Sequence, residues 1–198
     1  AWEMAEERGV KMPADNPEDF KKFIVVTADC RDVNEYLEKF ELPLQIMQDR
    51  EAIIRTAREL VIMLAEQGLV YAEIRFAPQL HTRKGMTQAE AIEAVIEGVN
   101  EGMKQAKTID IGIICCTMSI GLETVNKEEN LETVRATKQY LGKGVVALDL
   151  AGAEGIVPLK NFGYIFDLAR ELELPITVHA GDSDGPQTAW DALEFGTK

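Results

Sequence analysis

The sequence has little of what several protein classes require. Its 198 residues include two histidines, three cysteines and seven prolines, and 21 basic residues stand against 34 acidic ones. The net charge of −13 argues against a nucleic-acid backbone or an anionic membrane surface as partner, because both would repel it. The apolar runs fall well short of the roughly 18 residues that a membrane span requires. A small or uncharged ligand fits this composition better.

The cysteines are odd in number, and Cys115 and Cys116 are adjacent, so they cannot form an ordinary bridge with each other. This usage favours a reducing compartment. The first eight residues show no signal-peptide pattern, so we expect a cytoplasmic protein. With no acid or histidine beside them in the sequence, Cys115 and Cys116 are expected to pack as small apolar groups.

The first 48 residues predict short helices. Asn16 is a helix cap followed by Pro17 at the first helical position. Asp32 is expected to cap a segment that carries Phe40 and ends before Pro43. A strongly periodic helix follows from Asp49, and from there strand and helix patterns alternate. The predicted strands are 69–76, 109–118, 145–150 and 176–180, and the helices between and after them are 87–99, 131–141, 162–172 and 186–195.

Strands that are apolar on both faces and alternate with helices indicate an α/β protein with a parallel sheet. A doubly wound sheet would show a Gly-rich phosphate loop that opens a helix, whereas the nearest match, residues 142–144, leads into a strand. The alternative is a (β/α)8 barrel, in which the chemistry lies at the carboxyl ends of the strands. Glu73 and Arg75 share one face of a strand, and we expect them to pair inside such a barrel.

The most informative strand end is His179-Ala180-Gly181-Asp182, which places an imidazole and a carboxylate on one rim. Zinc hydrolases combine a histidine ligand with a carboxyl group that moves protons. The signal is weak by itself, since a single histidine at a strand end is more often structural and an aspartate in a Gly-rich turn is more often a turn former.

Three strings together are more specific. Residues 71–81 (YAEIRFAPQLH), 145–152 (VVALDLAG) and 176–181 (ITVHAG) closely resemble the adenosine deaminase family of zinc-dependent metallo-hydrolases. The similarity continues in the same order through residues 141–144 and 189–193. It implies a zinc-dependent (β/α)8 barrel that converts adenosine or deoxyadenosine to inosine or deoxyinosine and ammonia by means of zinc-activated hydroxide.

The resemblance also implies residue roles. His179 corresponds to a zinc ligand, and the backbone amide of Gly152 corresponds to the group that binds a ring nitrogen of the purine nucleoside. Asp182 stands at the position of the family's proton-donating glutamate, one methylene shorter and so about 1.5 Å short in reach. The family's His-x-His pair, its Arg-Ile-Gly-His string and its last metal-ligating aspartate have no counterpart in the sequence.

These departures predict an internal fragment of a barrel, with about strands 2 to 5 and their helices. We expect one partial barrel domain over 1–198, made of a helical lead-in (1–48) and repeating βα units (49–198). Such a chain is expected to bind zinc poorly, to be inactive by itself and to self-associate through its exposed sheet edges. The alternative is a non-catalytic α/β scaffold or paralogue that at most binds a purine.

Two further polar segments have ordinary interpretations. His81 lies in a loop and is expected to be structural or exposed rather than to line the pocket. Residues 126–132, which are rich in acids, predict a solvated loop and a first helical turn.

Overall fold

Four short helices occupy the start of the chain in the computed structural model, which describes residues 1–197. The last residue of the predicted domain, Lys198, lies outside the described residues. The four helices are Trp2–Glu7 (α1), Pro17–Ile24 (α2), Val33–Glu38 (α3) and Glu41–Ile46 (α4). Both predicted caps are confirmed, since the side chain of Asn16 accepts from the Asp19 amide and that of Asp32 accepts from the amides of Asn34 and Glu35.

The segment capped by Asp32 ends before Pro43 as predicted, but it does not carry Phe40. The helix ends at Glu38, and Pro43 lies inside α4. Pro43 is the third residue of α4, where a backbone N–H would have no partner within the helix. A proline therefore costs this position no hydrogen bond.

The two longest helices, Arg50–Glu66 (α5) and Gln88–Ala106 (α6), follow the caps Asp49 and Thr87, at the positions where the sequence predicts helices to begin. They approach each other closely at two glycines of α6. A methyl carbon added at Gly98 would lie 2.4 Å from the carbonyl oxygen of Ile54, and one at Gly102 would lie 2.6 Å from the Val61 Cβ. The contact between the helices therefore depends on the absence of side chains at these positions.

Three parallel strands form the sheet in the order β1-β2-β3. They are Tyr71–Phe76 (β1), Asp110–Ser119 (β2) and Val145–Gly152 (β3). The register pairs Phe76 with Cys115, Cys116 with Asp149, and Ser119 with Gly152, so the carboxyl ends of the strands lie side by side. The helices that follow the strands are Lys127–Tyr140 (α7), Gly163–Glu171 (α8) and Pro186–Glu194 (α9).

The predicted fourth strand, 176–180, runs parallel to β3 but forms only a single bridge, between Leu148 and Ile176. The Thr177 amide donates to the Leu148 carbonyl (2.8 Å) and the His179 amide to the Leu150 carbonyl (3.0 Å). Gly181, with φ of +86°, then turns the chain away from the sheet. This segment is thus aligned with β3 over too short a length to form a full strand.

The two faces of β1 differ. Ala72, Ile74 and Phe76 pack against the core shared with α5 and α6, whereas Tyr71, Glu73 and Arg75 lie exposed on the opposite face. Glu73 and Arg75 share that face as predicted, but their pairing is wrong. Glu73 accepts a hydrogen bond from the Tyr71 hydroxyl (2.8 Å), and the Arg75 Nε lies 3.9 Å from Asp149.

The segment 126–132 is only partly the solvated turn that its acids predict. Its glutamates are exposed, but Asn126 and Asn130 are buried beneath the end of β2. The Asn130 side chain accepts from the Met118 amide (2.8 Å) and donates to the Met118 carbonyl (3.0 Å), and Asn126 donates to the same carbonyl (2.9 Å). These amides satisfy backbone groups that the sheet leaves unpaired. Over residues 1–197, no helix has both the length and the apolar character needed to cross a membrane.

Candidate functional site

A carboxylate and an imidazole meet where β3 ends. Because side chains alternate along a strand, Leu148 and Leu150 pack toward α8 while Asp149 lies on the opposite face. The neighbouring segment brings His179 to that face, and its Nδ1 donates to the Asp149 Oδ2 at 2.8 Å. The pair joins the carboxyl ends of two adjacent segments.

Asp149 is 1% exposed, and its two oxygens differ in their surroundings. Oδ2 also lies 3.4 Å from the Cys116 Sγ and 3.9 Å from the Arg75 Nε. Oδ1 is buried without a hydrogen-bond partner among the described residues. A buried carboxylate needs compensating donors, and those it has are gathered on the side that holds His179.

The hydrogen bond to Asp149 fixes the orientation of the His179 ring. It raises the pKa of His179, against the opposing effect of partial burial, and the negative charges of Asp149 and Asp182 act in the same direction as the bond. With its proton on Nδ1, the neutral imidazole presents the lone pair of Nε2. Metal-ligating histidines have this arrangement when their other ring nitrogen donates to a carboxylate that orients the ring. The side chain of His179 is 38% exposed, so its ring remains accessible.

Sequence reasoning missed Asp149 as a site residue. The available signal is a single acid inside an otherwise apolar strand (VVALDL, residues 145–150), which burial would penalise unless a partner faced it.

Gly152, the predicted purine-binding residue, ends β3 with φ of +126°. A methyl carbon at this position would lie 2.3 Å from the carbonyl oxygen of Ser119 on β2. Both the backbone angle and the approach of Ser119 therefore require glycine here, whatever the residue binds.

Asp182, the predicted proton donor, is exposed in the turn after His179. Gly152, His179 and Asp182 line the same cavity, together with residues of β3 and the loop after it. The cavity measures about 40 Å³, whereas pockets for small molecules are about 300–1,000 Å³. The structure thus brings the three predicted residues together on one wall of a site and does not enclose a nucleoside.

The described residues do not by themselves form a zinc site. No group of three or more His, Cys, Asp or Glu side chains in residues 1–197 is placed to hold a metal ion. A structural or catalytic zinc needs three or four protein ligands. The single available imidazole is that of His179, since Nδ1 of the other histidine, His81, is bonded to the Met47 carbonyl (2.8 Å) and its ring is buried. The prediction of a structural role for His81 agrees with this placement.

Cys115 and Cys116 are buried as predicted. No acid stands beside them in the sequence, but the sheet register places Asp149 next to Cys116. Burial raises the pKa of Cys115 to about 12. Burial, followed by the charge of Asp149, raises the pKa of Cys116 still further. Both thiols stay protonated at neutral pH and are poor nucleophiles.

Comparisons with known proteins agree with this geometry. A family described as "Adenosine deaminase" matches residues 1–197. The adenosine deaminase of Haemophilus ducreyi is 42% identical over 201 residues, which are 99% of this chain and 58% of the relative. That of Clostridium perfringens strain 13 is 35% identical over 195 residues, 98% of this chain and 57% of the relative. The chain thus spans somewhat over half the length of the curated relatives it matches.

Two solved structures resemble the fold. Arabidopsis ADAL complexed with IMP has a TM-score of 0.77 at 25% identity, with 98% of this chain and 56% of that chain covered. A Burkholderia ambifaria amidohydrolase with bound Zn has a TM-score of 0.83 at 18% identity, with 99% and 52% covered. The predicted fold class is confirmed: the chain is α/β and forms part of a (β/α)8 barrel.

Proposed function

The chain belongs to the adenosine deaminase family, and on that premise we propose that it supplies one wall of the active site of an enzyme that hydrolyses adenosine or deoxyadenosine to inosine or deoxyinosine and ammonia. The observation that carries the proposal is the meeting of His179, Gly152 and Asp182 around one cavity, with buried Asp149 behind the imidazole. The complex of the similar Arabidopsis protein with IMP supports a purine as the ligand.

In this proposal His179 is the one zinc ligand that the chain contributes, and Asp149 holds its ring so that Nε2 points outward. The remaining ligands come from residues outside 1–197, because those residues offer no further group of ligands at the site. The bound Zn of the Burkholderia ambifaria amidohydrolase supports zinc as the metal.

The other two residues act on the purine. The Gly152 backbone amide binds a ring nitrogen, and Asp182 carries the proton that the purine ring takes up when its amino-bearing carbon is attacked. General acid catalysis requires heavy-atom contacts of about 2.6–3.2 Å. Asp182 is about 1.5 Å shorter in reach than a glutamate, so this proton transfer is expected to be slower than with a glutamate at the same position.

The proposal extends to domain and compartment. Residues 1–198 form a single partial barrel domain with a lead-in over 1–48 and βα units over 49–198. All three cysteines are free, which supports a cytoplasmic location.

A second candidate function is a non-catalytic scaffold that at most binds a purine. The observations that favour it are the cavity of about 40 Å³ and the lack of a metal cluster within the described residues.

An exchange of segments distinguishes the two candidates. Residues 1–197 would replace the matching segment of the Haemophilus ducreyi adenosine deaminase, and adenosine turnover and zinc content would be measured in the hybrid and in the isolated chain. We expect turnover and one zinc per hybrid, and neither in the isolated chain. A folded hybrid that binds zinc without turnover would favour the scaffold.

The same hybrid tests Asp182. Restoring the longer side chain by Asp182→Glu is expected to raise the turnover rate by about tenfold or more, because misplacement by about 1 Å can cost about 100-fold. The matched control is Asp184→Glu in the same exposed turn, which should leave the rate unchanged. An equal or lower rate for Asp182→Glu would show that the pocket is adapted to aspartate or that Asp182 moves no proton.

A further inference from the structure

The turn that carries Asp182 is bonded to a side chain from the loop after β3, Glu154. The Glu154 carboxylate accepts from the Gly181 amide at 2.6 Å and from the Ser183 amide at 2.6 Å. Its Oε1 also accepts from the Thr188 hydroxyl at 2.6 Å. The two amides belong to the residues immediately before and after Asp182. Glu154 therefore fixes the backbone on both sides of the proposed proton donor.

The backbone around Glu154 is itself held by hydrogen bonds. The amide of the preceding residue, Ala153, donates to the Ser119 carbonyl at the end of β2 (2.8 Å). The Ser183 hydroxyl donates in turn to the Glu154 backbone carbonyl (3.1 Å). The turn is thus tied through Glu154 to the edge where β2 and β3 end, which is the edge that carries Gly152.

The carboxylate is ionised at neutral pH. Partial burial acts to raise the pKa of Glu154, but the Thr188 hydroxyl and the amides of Ser183 and Gly181 outweigh it, and the net pKa lies below the ordinary value. Hydrogen bonds from N–H groups to an ionised carboxylate are roughly twice as strong as neutral ones. A glutamine side chain at this position could accept through its oxygen only. Its NH2 group would face the N–H donors of the turn, and no hydrogen bond could form there.

We propose that Glu154 is a positioning residue for Asp182: it clamps the 181–183 backbone so that the Asp182 carboxyl group stays on the rim beside His179 and Gly152. The inference rests on the proposed function for the role of Asp182, but the clamp itself is a property of the chain. The Glu154 carboxylate contacts backbone amides of the turn, so it would hold any side chain at position 182 in the same place.

The clamp is tested in the full 198-residue chain by hydrogen exchange of individual amides, measured by NMR. Glu154→Gln should speed exchange at Gly181 and Ser183 by at least about tenfold, the effect of losing a hydrogen bond to a charged group. The matched control is Glu90→Gln. Glu90 accepts from the Thr87 amide and hydroxyl in the same way at the start of α6, so its loss should speed exchange near Thr87 only.

A second variant keeps the test decisive if Glu154→Gln fails to fold. Thr188→Val nearly preserves volume but removes the hydroxyl that donates to Glu154 and accepts from the Gly181 amide (3.0 Å). Because the Glu154 carboxylate still accepts from both amides at 2.6 Å, Gly181 and Ser183 should keep most of their protection in this variant. Unchanged protection of Gly181 and Ser183 in Glu154→Gln, or a loss of protection at Gly181 in Thr188→Val as large as that expected for Glu154→Gln, would overturn the clamp.

The positioning of Asp182 by Glu154 is tested by a measurement that a general loss of structure in the turn would not reproduce. Inosine, the proposed product, is added to the hybrid with the Haemophilus ducreyi enzyme while the Asp182 carboxyl carbon and the Gly152 amide are followed by NMR. In the hybrid both resonances should shift, whereas in the hybrid with Glu154→Gln the Gly152 amide should still shift and the Asp182 carbon should lose at least half of its response.

The outcomes separate the two proposals. If inosine moves neither resonance in the hybrid, the proposed function fails while the exchange data still decide the clamp. If Asp182 responds equally with and without the Glu154 carboxylate, the positioning role is wrong and the proposed function stands.

Discussion

Replacing Gly98 by alanine tests whether the packing of α5 on α6 depends on a missing side chain. The new methyl carbon would lie 2.4 Å from the Ile54 carbonyl oxygen and 2.9 Å from the Ala57 Cβ, whereas favourable nonbonded contacts lie at about 3.5–4.0 Å. Because the nearest atom belongs to the backbone, no side-chain rotation relieves the overlap. The two helices must move apart by about 1 Å, the difference between these distances.

The expected loss of stability follows from two opposing effects. Overpacking costs about 1–3 kcal/mol, and a backbone contact places Gly98 at the upper end of that range. Alanine favours a helix over glycine by about 1 kcal/mol, which leaves a net loss of about 2 kcal/mol. For a chain of this length, such a loss lowers the Tm by about 4–8 °C.

Gly163 provides the matched control. It begins α8, and a methyl carbon there would lie 3.7 Å from the Phe195 ring, an ordinary contact. Gly163→Ala should therefore leave stability unchanged or raise it by up to about 1 kcal/mol. Urea unfolding followed by circular dichroism measures both variants. Equal midpoints for Gly98→Ala and Gly163→Ala would refute the argument that close helix contact requires Gly98.

Three further predictions concern titration and assembly. Burial lowers the pKa of His81 despite the bond to the Met47 carbonyl. The contribution of His81 to stability is therefore present above the unfolded pKa of 6.5 and is lost as the pH falls through the lower folded value. His81→Gln should accordingly reduce the decline in unfolding free energy between pH 7 and pH 5. Asp149→Asn should lower the pKa of His179, measured by NMR titration, because the hydrogen bond to the Asp149 carboxylate is the main cause of its elevation; an unchanged pKa would mean that another group sets it. The outer edge of β1 has no strand partner among residues 1–197, so the chain should self-associate through it. The molar mass of the chain measured by light scattering should therefore rise with concentration, and a constant monomer mass would contradict this.

Features that depend on neighbours in sequence could be predicted. Asp49 and Thr87 begin α5 and α6 because a cap and its acceptor amide lie within three residues of each other. The apolar strands and the α/β class follow from patterns of similar range. The position of His179 at the carboxyl end of a strand-like segment follows in the same way.

Features that depend on register across the sheet could not. The parity of Glu73 and Arg75 gives their common face but not their partners, and Arg75 lies near Asp149, 74 positions further along the chain. The same register decides that Asp149, rather than another strand residue, faces Cys116 and His179. The burial of Asn130 likewise depends on the unpaired backbone of Met118, which no local pattern reveals.

The contact between Gly152 and Ser119 affects how a substitution at this position can be interpreted. Any side chain at Gly152 meets the Ser119 carbonyl at 2.3 Å, so a mutant there reports a damaged strand end before it reports a lost purine contact. Alanine scanning therefore cannot separate the packing of Gly152 against Ser119 from the proposed hydrogen bond of its amide. Chemical synthesis can, because replacing the Gly152 amide by an ester removes the N–H group without adding a side chain.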